Sequence, residues 1–180
     1  TVSPNILCAS SSIATGQGLT LVTSGISSSF TITARDTYGN DLPQSVSDVK
    51  AVVSGGGIPY LFASTRYLGA GKLVAAFTAT ISGTFSDSIS LVYNPVHYSP
   101  IPVRVATVFA CAAKTSVFGN ILTLSTAGSP TRISICAKDQ FSNSLTASTP
   151  TFGAVARSSE ASVALQVLSI SGCVHACVCN

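Results

Sequence analysis

Methionine and tryptophan are absent from this 180-residue sequence, and charged side chains make up only 8% of it. Six acids and two histidines leave little material for acid–base catalysis, and no Gly-x-Ser-x-Gly elbow is present to present a nucleophile. The nine basic residues stand singly along the chain, so no cluster can track a phosphate backbone, and nucleic acid is excluded as a partner. No apolar run approaches the roughly 20 residues of a membrane-spanning helix. Disorder is excluded as well: disordered chains pair low hydrophobicity with high charge, and here 46% of residues are apolar. The Asn-x-Ser/Thr acceptor is missing, so any attached glycan is O-linked. No signal-peptide pattern is visible, as expected of a mature secreted chain.

The sequence does contain a duplication. Shifted by 103 residues, positions 8–42 align with 111–145 without a gap. Cys8/Cys111, Gly16/Gly119, Leu19/Leu122, Gly25/Gly128, Ile32/Ile135, Ala34/Ala137, Asp36/Asp139, Asn40/Asn143 and Leu42/Leu145 are among the identities. Farther on, Ile81-Ser82-Gly83 matches Ile170-Ser171-Gly172 at a smaller offset, which gives repeat 2 a shorter middle. Within each repeat the hydrophobic period is two. Phe30, Ile32 and Ala34 alternate with Thr31, Thr33 and Arg35, as Ile133, Ile135 and Ala137 do with Ser134, Cys136 and Lys138. That is one buried and one exposed strand face. Asp36 to Asn40 and Asp139 to Asn143 read as turns. Further strands are expected over 49–53, 73–81, 85–93 and 103–108. Short strands punctuated by turns predict an all-β sandwich.

Gly16, Gly18 and Leu19, then Gly25, then the run Phe-Thr-Ile-Thr-Ala-Arg-Asp-Thr-Tyr-Gly-Asn over 30–40 resemble the filamin-type immunoglobulin-like repeat. Ser99-Pro100 is similar to the Ser-Pro before that family's last strand. The resemblance covers most of 8–105 and recurs, weaker, over 111–172. It implies two tandem immunoglobulin-like sandwiches, residues 1–105 and 106–180. It also implies a spacer role with partners added at a sheet edge, and neither catalysis nor a cofactor. The chain departs from cytoplasmic filamins in its Cys-rich tail and low charge, so an extracellular or cell-surface relative is expected.

Placing Gly172 on Gly83 sets residues 173–180 over 84–91, the penultimate strand, so repeat 2 lacks its last strand. A chain that continues beyond residue 180 accounts for that gap. A strand from another copy accounts for it too. The second reading makes Val2, Pro4, Ile6 and Leu7 the donor and Val174, Ala176 and Val178 the acceptor. The chain then becomes the self-assembling protomer of an extracellular fibre, because head-to-tail insertion propagates. The alternative function is a ligand-binding adhesion module or spacer within a larger surface protein.

Six cysteines, Cys8, Cys111, Cys136, Cys173, Cys177 and Cys179, fit disulfides in an oxidising compartment. Cys111 and Cys136 are expected on adjacent strands and form a candidate pair, and Cys8 is a candidate for bonding the tail of another copy. Cys173, His175, Cys177 and Cys179 suggest zinc, but on one strand they are spaced too far along the chain for a tetrahedral site. Asp36, Asn40 and Asp41 suggest calcium, yet their role in the turn explains them without a metal. Tyr60, Phe62 and Tyr67 are either exposed contacts or part of a core strand. His97 reads as a surface-loop residue.

Overall fold

In the computed structural model the chain divides into two compact units, Thr1–Ala106 and Thr107–Asn180. The structure describes residues 3–55, 58–119, 131–145, 155–157, 162–164, 166–170 and 173–178, with the backbone alone from 155 onward.

The first unit is a two-sheet sandwich. One sheet orders β1 (Ile13–Thr15), β3 (Ser28–Thr33), β7 (Lys72–Phe77) and β6 (Ser64–Gly69) as β1-β3-β7-β6. The other contains β2 (Leu21–Thr23), β4 (Val49–Gly55), β5 (Ile58–Phe62), β8 (Gly83–Leu91) and β10 (Ile101–Ala106) in the order β2-β10-β8-β4-β5. The two-residue β9 (Asn94–Pro95) pairs with β8. All pairs are antiparallel except β2 with β10. The expected strands are present with moved ends. The one read over 73–81 stops at Phe77, and the one read over 103–108 runs from Ile101 to Ala106. Residues 60–67 fall on two of the edge strands, β5 and β6, and Tyr60 and Phe62 are exposed on β5.

Period-two patterning makes the core. Phe30 and Ile32 of β3, Leu73, Ala75 and Phe77 of β7, Ala51 and Val53 of β4, and Phe85, Ile89 and Leu91 of β8 are all buried. Phe30 and Phe77 meet edge to face, with ring centroids 6.4 Å apart, a geometry that aromatic quadrupoles favour. The Gly-x-Gly signature also has a physical cause. Residues 16–18 cross over β3 as the chain moves from one sheet to the other. A Cβ on Gly18 would stand 2.7 Å from the Ser29 carbonyl oxygen, and one on Gly16 2.9 Å from Phe30 Cα. One core position breaks the pattern: Asp87, fully buried on β8 between Phe85 and Ile89.

The described part of the second unit repeats the strand order of the first sheet. One sheet orders β11 (Ser116–Phe118), β12 (Thr131–Cys136), β16 (Cys173–Val178) and β15 (Gln166–Ile170) as β11-β12-β16-β15, and β13 (Val155–Arg157) pairs with β14 (Ser162–Ala164). Its register corrects the placement of the tail. Ile133 pairs with Ala176 and Ile135 with Val174, as Phe30 pairs with Ala75 and Ile32 with Leu73. Cys173–Val178 is therefore the counterpart of β7, not of β8. The Ile-Ser-Gly match does not fix the alignment, because a three-residue identity in a Ser-rich chain carries less information than the hydrogen-bond register.

Substitution of Ile32, which has no exposed surface, by alanine should destabilise the first unit by about 2–5 kcal/mol in urea unfolding. Thr31→Ala on the opposite face should stay within about 0.5 kcal/mol.

Candidate functional site

The chemistry that recurs in both units gathers at the pole where the chain enters each sandwich. The Asp36 carboxylate is 1% exposed. Its Oδ1 accepts the backbone N–H groups of Tyr38 and Asn40, both at 2.9 Å. Its Oδ2 accepts Asn40 Nδ2 and the Asn5 backbone N–H, both at 3.0 Å. The Asn5 N–H, followed by the Asn40 amide, holds the Asp36 pKa down at about 2, because each bond favours the charged form. In the second unit Asp139 Oδ1 accepts Phe141 and Asn143 N–H at 2.9 Å. Asp139 Oδ2 accepts Asn143 Nδ2 at 2.8 Å and Val108 N–H at 3.4 Å. Asn5 and Val108 are 103 positions apart, like the aspartates, so the duplication holds bond for bond.

Two positions that the sequence did not single out complete the arrangement. Ser12 Oγ donates to the Cys8 carbonyl at 2.8 Å and accepts Arg35 N–H at 2.9 Å. Thr115 does the same between Cys111 and Lys138, at 3.0 and 3.4 Å. A hydroxyl at both positions was the available signal, hidden by the change from Ser to Thr. Asp41, the third member of the calcium reading, forms an ion pair with Arg35 at 3.0 Å. The Asp36 oxygens are occupied by N–H donors, so the pair Asp36 and Asn40 works as a turn lock.

The proposed donor strand is already engaged in its own repeat. Asn5 N–H bonds Asp36, Leu7 bridges Asp36, Cys8 N–H donates to the Arg35 carbonyl at 2.8 Å, and β1 pairs with β3. Val2 lies outside the described residues. Pro4 and Ile6 line a cavity of 490 Å³ together with Gln44, Ser47 and Val92, and none of the lining residues is ionisable. The proposed acceptor is also occupied: the strand that holds Val174, Ala176 and Val178 is paired on both sides, by β12 and by β15. The vacant-groove reading of these residues is thus corrected by backbone pairing at both ends.

With this geometry established, three solved structures are informative. The Escherichia coli adhesin FdeC superposes with a TM-score of 0.68 at 18% identity, covering 98% of this chain and 57% of its own. Invasin, a bacterial integrin-binding protein, gives 0.64 at 14% identity, over 96% of this chain and 35% of its own. The Lin-41 filamin domain gives 0.50 at 19% identity, over 58% of this chain and 97% of its own. The fold is that of a filamin-type immunoglobulin-like repeat. The chain therefore spans a little over half of the adhesin chain and about a third of invasin, and at these identities the likeness is one of fold. No protein-family model matches the sequence, and no curated protein sequence does.

The cysteines distribute unevenly over the immunoglobulin-like repeats. Cys8 and Cys111 carry free thiols, and Cys136 is disulfide-bonded. The expected Cys111–Cys136 pair is therefore corrected: Cys111 N–H bonds the Lys138 carbonyl, and Ser116 is the residue opposite Cys136. Continued by one residue, the β12–β16 register sets position 173 opposite Cys136. The Ser10 hydroxyl, then that of Ser11, lowers the Cys8 thiol pKa below its ordinary value. His97 is exposed in the β9–β10 loop against Tyr98, and His175 is on β16, in the other unit.

Two outcomes are expected. Asp36→Asn should lower the melting temperature at neutral pH by roughly 5 °C or more. It should also flatten the acid limb, because a depressed pKa stabilises above the ordinary value of 3.8 and that stability is lost as pH falls toward about 2. Second, alkylation under non-reducing denaturing conditions should label Cys8 and Cys111, and peptide mapping should recover Cys136 joined to Cys173. Recovery of a Cys111–Cys136 peptide would contradict the register argument.

Proposed function

We propose that the chain is a structural stretch of an extracellular surface or adhesion protein, a tandem of sandwiches that spaces or displays other parts. The observation that carries this reading is the course of the chain through the first repeat. It enters at the pole of the Asp36 turn, and β10, antiparallel to β8, leaves at the opposite pole at Ala106. Only Thr107 separates Ala106 from Val108, which already bonds Asp139 of the next repeat. In-at-one-end, out-at-the-other connectivity with a minimal junction is what an extended array requires. The fold shared with an adhesin and an integrin-binding invasin supports the surface setting. So does the low charge, with Thr84, Ser86 and Ser88 exposed in a row on β8 and open to O-linked sugars.

Self-association belongs to this reading in a revised form. Because residues 5–15 pair within their own unit, head-to-tail assembly requires exchange of that segment between copies, which reproduces the same bonds in trans. Cys8, half-exposed and with its thiol activated by hydroxyl donors, is placed to lock such an exchange by disulfide. A ligand-binding role is the second reading, favoured by the uncharged cavity beside Pro4 and Val92. No residue is assigned a catalytic role.

Small-angle scattering and negative-stain microscopy of the purified chain test the proposal. An elongated two-unit particle supports the spacer, and a compact particle with the units folded together refutes it. Any filaments should vanish on deletion of residues 1–12 and should show a Cys8-dependent ladder on non-reducing gels. Filaments that survive the deletion exclude segment exchange.

A further inference from the structure

Among the described residues, Asp87 is the buried side chain whose polar atoms the fold leaves without partners. Its side chain is fully buried, and neither carboxyl oxygen has a hydrogen-bond partner. On β8 it lies between Phe85 and Ile89, opposite Val53 of β4 on one side and Ile101 of β10 on the other. The facing strands contribute Phe30, Ile32, Leu73, Ala75 and Phe77 to the same core. Lys50, Lys72 and Arg104, the cations on the strands around it, are exposed. Asp36 is the other buried acid of the first unit, and its oxygens are satisfied. Nothing described in this core can balance a charge at residue 87. An unpaired carboxylate in apolar surroundings is among the costliest groups to bury, and it neutralises instead.

We propose that Asp87 is a proton-linked latch: the first repeat folds with this carboxyl neutral, tightens in mildly acid surroundings and loosens as the proton is lost. Burial pushes its pKa from the ordinary 3.8 up to about 6. Between these values the folded chain holds a proton that the unfolded chain has released. Stability from this group is therefore greatest below 3.8, declines as pH rises, and is lowest above about 6. The shift corresponds to an unfolding constant up to about a hundredfold larger at pH 7.5 than at pH 4.

The geometry also indicates where loosening begins. Ile101, directly opposite Asp87, is only half-buried and opens β10. On its far side β10 is held by the short parallel ladder from Arg104↔Leu21 to Ala106↔Thr23. Displacing β10 would admit water to the carboxylate from that side. The same strand carries the chain out of the repeat, so protonation and tension along the chain act on one element.

Carbon-13 NMR of the Asp87 carboxyl across pH 3–8, with urea unfolding of the wild type and Asp87→Asn at pH 4 and 7.5, tests the proposal. The carboxyl should titrate near pH 6. The wild type should lose stability between the two pH values, and Asp87→Asn should lose much less. Both chains share His97 and His175, so the difference between them isolates Asp87. Should Asp87→Asn not fold, wild-type amide protection at Val103 and Val105 should still fall on raising the pH. A carboxyl already ionised at pH 5, equal pH dependence in the two chains, or protection at β10 that does not change with pH each overturns the latch.

Discussion

The fold depends on a buried carboxylate that must be surrounded by N–H donors. An ionised aspartate inside a sandwich is tolerable only when its oxygens are hydrogen-bonded, and Asp36 meets that demand with four bonds drawn from three residues in two stretches of chain. Those bonds shape the turn that follows β3, fix the Asn40 side chain and anchor the incoming segment at Asn5. The carboxylate thus determines where the chain joins the sandwich as well as how it reverses. Asp139 imposes the same arrangement on the second repeat although Tyr38, Gly39 and Asn5 are there replaced by Phe141, Ser142 and Val108. The replacement is harmless because the donors at these positions are backbone groups.

That distinction explains what could be read from the sequence. Side-chain demands leave marks: the period-two strands, the Asp and Asn of each turn and the close-approach glycines all show in the residues and all reappear in the structure. Backbone demands leave none. Nothing in the letters Asn5 or Val108 reveals a donor to a carboxylate 31 positions away, so by sequence alone the incoming segment is free to serve as a donor for another copy. The tail failed for a related reason. Val174, Ala176 and Val178 do alternate as a core strand should, and they stand opposite Ile135, Ile133 and Thr131. Alternation reports a face, however, and not which neighbours flank it. Only the ladder identified the strand as the partner of β12, which also placed Cys173, rather than Cys111, opposite Cys136.

The two buried aspartates of the first repeat make opposite use of one residue type. Asp36, at a turn where unpaired N–H groups are plentiful, is more stable charged. Asp87, in mid-strand where neighbouring backbone groups are committed to the ladders of β4 and β10, finds none and is more stable neutral. Their opposite pKa displacements open a window in which one is charged and the other protonated, bounded by about 2 and about 6. Within that window both are in the form the fold prefers, and the two ends of the range fail for different reasons in different places.

The location of each failure bears on an array. Losing the Asp36 charge frees the segment through which the chain enters, whereas gaining the Asp87 charge weakens the packing beneath β10, through which it leaves. A force applied along a string of repeats acts at those same two points. β10 resists with an antiparallel ladder to β8 along most of its length and a short parallel one to β2, so its hold rests chiefly on the strand that carries Asp87. A leucine or valine at residue 87 would carry no ionisable group, and the stability of the repeat would lose this dependence on pH. In the proposed latch the acid instead makes the hold on β10 depend on proton concentration, at the strand through which the chain leaves the repeat.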